Sequence, residues 1–598
     1  MEKLKTREEL KKEDCWDLES VYKNIDDYNK DYNIVKENIS ILKNRQETFL
    51  NNSKNFKEFL ELDSMTSRLM AKLYTYAARK NDEDTGKAIY QELYGKINNL
   101  YQEYTEATSF VTPMILETDD STIKKYLDEE KLDDFKHTIL DILRYKKHSL
   151  TKEEEKVVSA YSKVLDSSSE TADYLMDTDM RFGYLKDENN EEIELTTSNY
   201  STLLLSKDRR VRRVAFLNYH KVYGDFKNTL TSTLAASCEA LTVSSKLRHF
   251  NSSLETSLFG DFIPTKLYDN LIKVVHDNLP LLYKYFEEKR KLLDLSEFHL
   301  YDGYVSTVKS IDKKYSFAEA KDLVTASLSI LGSEYSKALE RAFSEGYIDK
   351  YPNLNKRSGA YSAGCYDTKP FVLLNYTETY NDVSTLAHEL GHSMHTYFSN
   401  KYNSFEESGY PIFLAEIAST VNELLFSYYM ESVATTKDEK IAILNERLDT
   451  FKGTVYRQTM FAEFEKYIHD LTDKGEILTS DNICNYYYDL NKLYFGPKVV
   501  IDEEVKYECL RIPHFYTPFY VYKYATGLSI ASYIVKNILK KTPNFKEKYI
   551  EFLKSGGRDY PLEVLKIIDV DLTKEDVFKE AFGMFEETLE NFIKLNNE

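Results

Sequence analysis

Residues 381–400 read NDVSTLAHELGHSMHTYFSN and hold His388, Glu389 and His392 in the order H-E-x-x-H. This spacing constrains the backbone, because residues four apart lie one above the other on a helix, where two imidazoles can reach the same metal ion. The flanking pattern agrees: Val383, Leu386, Ala387, Leu390, Met394 and Tyr397 recur at spacings of three and four, with no proline among them. Asn381 and Asp382 are both suitable N-cap residues. With eleven histidines in 598 residues, chance would give an HExxH in about 2% of such chains. Two neutral imidazoles suit Zn2+, and a catalytic site needs a third protein ligand and an open position for water.

The acidic residues in reach after His392 are Glu406, Glu407, Glu416 and Glu423. Glu406 and Glu407 lie in the polar, turn-like NSFEESGYP, whereas Glu416 sits inside PIFLAEIASTVNELLFSYYM, an apolar helical pattern opened by Pro411. A carboxylate buried there would have to be paired or metal-bound. Glu416 is therefore the expected third ligand, with Ser419 or Thr420 and Glu423 on the same helix face as supporting neighbours. Glu423 is placed to accept the free N–H of a ligating imidazole, or to make a salt bridge. His395 reads as a supporting or surface residue and not as a ligand.

Composition excludes several classes. A net charge of −20 opposes a nucleic-acid surface, which needs clustered Lys and Arg. The basic run KDRRVRR (207–213) reads as the solvated face of a helix. Cys15, Cys238, Cys365, Cys484 and Cys509 are far apart and show no CxxC spacing, so a disulfide framework and a zinc ribbon are both disfavoured and a reducing compartment is expected. No apolar run of about 18 residues suggests a membrane span, and the start lacks the apolar core of a signal peptide. The expectation is a cytoplasmic protein with no nucleic-acid or membrane partner. The 49 tyrosines are read as packing residues.

The fold class expected is mainly α, with a small β-sheet beside the HExxH helix. Helical periodicity runs from Lys23 to about Arg181, clearest at 65–78 and 89–104, and defines an N-terminal helical lobe over 1–198. FGYLKDENNEEIELTT (182–197) reads as a hairpin turning at Asn189-Asn190, and 199–598 as the catalytic domain. The stretch 346–376, rich in glycine and proline, ends in Phe371-Val372-Leu373-Leu374 and predicts short strands. A strand there can pair with an extended peptide, with Gly359, Ala360 and Tyr361 as the substrate-binding edge, or be a purely structural hairpin.

Together HELGHSMH, the glutamate 24 residues after His392, KRSGAYSAG, FLAEIASTVNE, an N-terminal WDLESVY and PHFYTPFYVYKYATG resemble the thimet oligopeptidase superfamily of zinc metallopeptidases, and within it the oligoendopeptidase F branch. The resemblance spans most of the chain. It implies one Zn2+ on His388, His392 and Glu416, Glu389 as general base and acid, and an elongated helical body whose internal channel admits short unfolded peptides. It also implies that a histidine and tyrosines of the C-terminal segment contact the substrate carbonyl. His514 transfers directly; among the tyrosines Tyr522 is preferred and Tyr516 is second.

The reaction so implied is hydrolysis of internal bonds of short peptides. An exopeptidase with the same ligand set is the nearest rival, and a non-catalytic helical peptide-binding scaffold is the rival from another class. A metzincin is excluded because Phe398 stands where its third histidine would fall.

Overall fold

The computed structural model describes residues 4–308 and 313–598. Among the described residues the chain is mainly helical with three small sheets, and it divides into two compact units. One comprises Met1–Ser149, Asp312–Ser432 and Ile534–Val570; the other comprises Leu150–Ile311, Val433–Tyr533 and Asp571–Glu598. Position 198 falls within the second.

In the first unit, helices Ile25–Asn44, Ser53–Glu83 and Ala88–Thr108 pack about Val35, Met70, Leu73, Ile97 and Leu100. Their apolar residues recur at helical spacing, and Asn24 and Asn52 cap two of them by accepting backbone N–H bonds. The same core runs through Trp16 to Phe371 and Leu373 of the sheet. Charged groups fasten the N-terminal segment: Arg7 reaches Asp349 (2.5 Å) and Glu83 (3.1 Å), and the Trp16 indole N–H donates to Glu83 (2.8 Å). Lys356 completes the pairing of the buried Asp349 at 2.7 Å, as a buried carboxylate requires.

The sheet of this unit has Phe371–Leu373 at its centre, Ile348–Asp349 parallel on one side and Tyr361–Ala363 antiparallel on the other. Ser362 pairs with Val372, and Tyr361–Ala363 is an edge strand packed against the HExxH helix. The expected edge at 359–361 is shifted by two residues. Gly359, in the left-handed region (φ 84°), and Ala360 form the turn that leads into it.

The HExxH helix spans Tyr380–Tyr402. Its N-cap is Thr379, where Asn381 or Asp382 was expected. The Thr379 side chain accepts from the Asp382 N–H, and the Asp382 carboxylate accepts the N–H groups of Thr377 and Thr379. Val383, Leu386, Ala387, Leu390 and Met394 are buried as the periodicity predicts; Phe398, buried against Tyr335, replaces the half-buried Tyr397 at the end of the stripe.

Ile412–Val433 forms the second helix of the site. Asn422 donates to the Ala387 carbonyl (3.0 Å) and accepts from the Tyr335 hydroxyl (2.8 Å). Contacts 387/422, 388/423, 391/419 and 392/416 run in opposite directions along the two chains, so the helices cross antiparallel. Gly391 permits the crossing. A Cβ there would lie 2.5 Å from the Ser419 Cα and 2.6 Å from the Ala418 oxygen, and backbone atoms cannot swing aside.

In the second unit, Tyr184–Lys186 and Glu192–Glu194 form the expected hairpin, with Asn190 at φ 63° in its turn. The basic run departs from expectation in part: Lys207, Arg210 and Arg213 are exposed, whereas Arg209 and Arg212 both bind the fully buried Asp302, at 2.8 and 2.7 Å, as an ion-pair anchor. The stretch 264–293 is two helices, Thr265–Asp277 and Leu279–Leu292, interrupted at Asn278, two residues before Pro280. Tyrosines fill this interior, as Tyr200 stacked on Tyr219 at 3.9 Å illustrates.

Gly391→Ala should lower stability by about 1–3 kcal/mol, the usual cost of overpacking, and reduce the metal bound per chain. Thermal unfolding and metal analysis on the same preparation check both.

Candidate active site

Helix crossing brings four side chains together. Ligand atoms of His388, His392 and Glu416 all lie within 4.8 Å of one another. The Glu416 Oε2 is 3.5 Å from the His388 Nε2 and 3.6 Å from the His392 Nε2. Behind them the His388 Nδ1 meets the Glu423 carboxylate at 3.0 Å, which fixes the ring and leaves Nε2 facing the cluster. The Ser419 hydroxyl donates to the Glu416 carboxylate at 3.2 Å.

Glu416 differs from its sequence reading in one respect. Its helix is apolar, yet its side chain is 49% exposed, so the cost of burial does not dictate its role. Its place on the face turned to the two imidazoles does. Glu406 and Glu407 belong to the short helix Phe405–Ser408, outside the cluster. His395 is a buried packing residue and not a support for the ligands: its ring stacks on Tyr410 (3.8 Å between centroids, 8° between planes) and lies beside Phe552. Burial, with His392 nearby, lowers its pKa to about 3 and keeps it neutral.

Glu389 is buried on the same helix. Burial is the main cause that raises its pKa to about 7; His388 opposes the rise, Glu416 and Glu423 add to it, and a backbone hydrogen bond from Ser362 lowers it. Ser362 also meets Ser393 of the HExxH helix, hydroxyl to hydroxyl, at 2.8 Å. The edge strand is thereby held at the side of the Glu389 carboxylate, a role for Ser362 that no sequence pattern announced. Burial pulls the His388 pKa down, but the Glu423 hydrogen bond and charge, then Glu389 and Glu416, outweigh it and bring it up to about 9 in the metal-free protein. Burial and the neighbouring His388 lower that of His392 to about 4.

The C-terminal aromatic segment lies in the second unit. His514 forms one group with the half-buried Tyr520 and Tyr524, with centroids 6.4 and 6.1 Å away. Tyr522 points elsewhere. It is fully buried, its ring 5.3 Å from that of Tyr268, and Tyr516 bonds Thr233 at 2.8 Å. Two residues separate Tyr520, Tyr522 and Tyr524, and the local turn decides which of them faces outward; sequence spacing could not.

Buried carboxylates hold both ends of that segment. Glu508 accepts from Arg511 (2.7 Å), Arg457 (2.6 Å) and Tyr487 (2.6 Å). Glu465, fully buried, accepts the N–H of Phe519 at 2.7 Å, and Phe519 itself sits at φ 55°, a left-handed conformation unusual for a phenylalanine.

An HExxH helix crossed by a glutamate-bearing helix, with an edge strand along Glu389, has the arrangement of a metallopeptidase site of the two-histidine, one-glutamate class. The comparisons with known proteins give the particular family. The model of peptidase family M3 matches residues 202–584, and that of oligopeptidase F matches residues 115–182. Oligopeptidase PepF of Bacillus subtilis is 39% identical over 99% of this chain and 88% of its own length. The oligoendopeptidase F homolog of Lactococcus lactis is 36% identical over 99% and 98%. A solved chain from Chlamydophila abortus superposes with a TM-score of 0.95 at 36% identity, over 99% of this chain and all of that one. Oligoendopeptidase-F from Enterococcus faecium gives 0.74 at 34%, over 95% and 99%. The chain belongs to peptidase family M3, in its oligopeptidase F group, and is a metalloendopeptidase that hydrolyses peptides. Among the described residues no helix is long and apolar enough to cross a membrane.

Two measurements follow. Glu423→Ala should weaken metal binding about 10- to 100-fold, the usual cost of losing a partner behind a ligand, as chelator competition would show. The Glu465 pKa is raised to about 8, chiefly by burial, with the Phe519 N–H and the Tyr268 hydroxyl opposing. A carboxyl group whose folded pKa lies above its unfolded value stabilises most at low pH, and that contribution is lost as pH rises from about 4.5 to about 8. Glu465→Gln keeps the acceptor without the charge, so its Tm relative to wild type should climb across this window and level off above it.

Proposed function

We propose that the protein holds one Zn2+ through His388, His392 and Glu416 and cleaves internal bonds of short, unfolded peptides, with Glu389 moving the protons. The observation that carries this reading is the convergence of the two Nε2 atoms and the Glu416 carboxylate, with Glu423 behind His388. Two imidazoles and one carboxylate are a donor set that suits zinc and leaves a coordination position open. Zinc supplies Lewis-acid chemistry there, easing loss of a proton from water and polarising the substrate carbonyl.

The remaining steps belong to the chain. Glu389 takes the proton of the attacking water as the oxygen adds to the carbonyl carbon, then passes it to the amide nitrogen as the C–N bond breaks. The peptide lies extended along the open edge of Tyr361–Ala363, backbone to backbone, with Gly359 and Ala360 at the lead-in. Support comes from the cavity of about 230 Å³ that these two residues line with Leu374, Asn375, Tyr376, Asp382 and Thr385. By the resemblance, His514 and a tyrosine hydroxyl of its segment are donors to the developing oxyanion; within that segment Tyr520 and Tyr524 gather with His514, whereas Tyr522 is buried.

The family match that starts at 202 supports a division of the chain near residue 198 into a helical lobe and a catalytic domain. Five free cysteines, two of them (Cys484 and Cys509) with sulfurs 4.0 Å apart and unbonded, support the reducing cytoplasm as its location. A net charge of −20 speaks against nucleic-acid partners.

The test is an N-acetylated, C-terminally blocked fluorogenic peptide assayed beside zinc analysis. Wild type should carry about one zinc per chain and cleave the blocked peptide. Glu389→Gln should stay zinc-loaded while kcat falls about 10²- to 10⁴-fold; full turnover in that variant would remove Glu389 from the reaction.

A further inference from the structure

Arg79, on helix Ser53–Glu83, has a side chain only 9% exposed, and its buried Nε has no hydrogen-bond partner among the described residues. Its Nε lies 3.6 Å from the Asp82 carboxylate, too far for a hydrogen bond, and its guanidinium sits 4.8 Å over the ring of Tyr361. Arginine is rarely buried without a planar acceptor, because its donors are costly to desolvate and unusually well matched to a carboxylate. Its location gives the orphan meaning, since Tyr361 opens the edge strand of the proposed peptide site.

Alternation along that strand sets the direction. Ser362 faces the HExxH helix through Ser393, so Tyr361 and Ala363 face the opposite side of the sheet, where Tyr361 packs near Trp16 and under Arg79. A peptide added to the open edge alternates in the same way, presenting every second side chain to the side that holds Arg79.

The charge of that side is positive. Asp82 is shared by Arg79, Arg357 and the Tyr361 hydroxyl, and Arg357, 59% exposed, also lies over the Tyr361 ring. Around Asp82, two guanidinium groups meet one carboxylate in a chain whose overall charge is −20.

We propose that Arg79, together with Arg357 and the Tyr361 hydroxyl around Asp82, forms a subsite that takes a carboxylate of the bound peptide, on the face of the edge strand turned away from the HExxH helix. The ligand is a carboxylate of the substrate, carried either by an acidic side chain or by the C-terminus. The inference rests on strand pairing at Tyr361–Ala363 and goes beyond it by giving the peptidase a charge preference.

The experiment compares N-acetylated peptides of one sequence, four for each position scanned, with Glu or Gln at that position and a free or an amidated C-terminus, on wild type, Arg79→Met and Arg79→Lys. In wild type, the acid should be favoured over its amide about tenfold in kcat/KM, through KM, which corresponds to one charge-assisted pair. In Arg79→Met the ratio should fall to about one, and Arg79→Lys should keep part of it. A preference for Glu at alternate positions identifies a side-chain carboxylate; one seen only with the free C-terminus identifies that group. Because each ratio is taken within one enzyme, a folding defect lowers both rates and leaves it unchanged. An equal ratio in wild type and Arg79→Met overturns the subsite and leaves Arg79 solvated by ordered water. Single N-methylation of the amides of the uncharged peptide tests strand pairing separately. Rates that alternate along the peptide with an unchanged acid ratio sink the subsite alone, whereas rates that do not alternate sink the strand reading.

Discussion

The close crossing of two helices at Gly391 is the contact on which the site depends. With glycine at that position, the helix bearing the two imidazoles meets the backbone of the helix bearing Glu416 directly, with Ser419 and Ala418 where a side chain would stand. Two pairs, 388 with 423 and 392 with 416, four residues apart on one helix and seven on the other, then fall in register. The spacing matters because a cluster assembled from two helices tolerates little error: a one-residue slip moves a side chain about 1.5 Å along the axis and turns it by about 100°. Asn422, bonded to the Ala387 carbonyl and to Tyr335, locks that register with neutral, fully paired groups.

The charges around the crossing divide the labour. Glu423 spends its carboxylate on the outer nitrogen of His388, while Glu416 remains half-exposed and turned inward. Glu389 lies in the same helix but is buried, and its environment favours holding a proton near neutrality, which suits a group that accepts one and returns it. The Ser362 backbone adds a hydrogen bond that fixes this carboxylate against the edge strand. The same few atoms therefore join Glu389 to the edge strand of the sheet.

In the second unit, buried carboxylates serve conformation. Glu465 caps the Phe519 N–H and supports a left-handed residue, and Glu508 gathers Arg457, Arg511 and Tyr487 at the other end of the aromatic segment. Between these anchors the backbone turns so that Tyr520 and Tyr524 gather with His514 while Tyr522 enters the core beside Tyr268. Buried polar groups of this kind are costly unless fully paired, and here the pairing specifies one turn geometry.

Local physics made the helices and the candidate ligands legible in the sequence. A four-residue histidine spacing, apolar residues at three and four, and an apolar helix interrupted by Glu416 and Glu423 follow from the 3.6-residue period and require no knowledge of distant contacts. The hairpin at 184–194 and the short strands after 346 follow from alternation and turn residues in the same local way. Tertiary structure decided what depends on partners remote in the chain. Arg209 and Arg212 became an anchor because Asp302 is buried beside them, and His395 went into packing because Tyr410 lies on its face. The strand edge, the orientation of three tyrosines two residues apart, and the unmatched Nε of Arg79 were likewise settled by burial and by long-range contacts. Periodicity states which face of an element is apolar; it does not state what that face will meet.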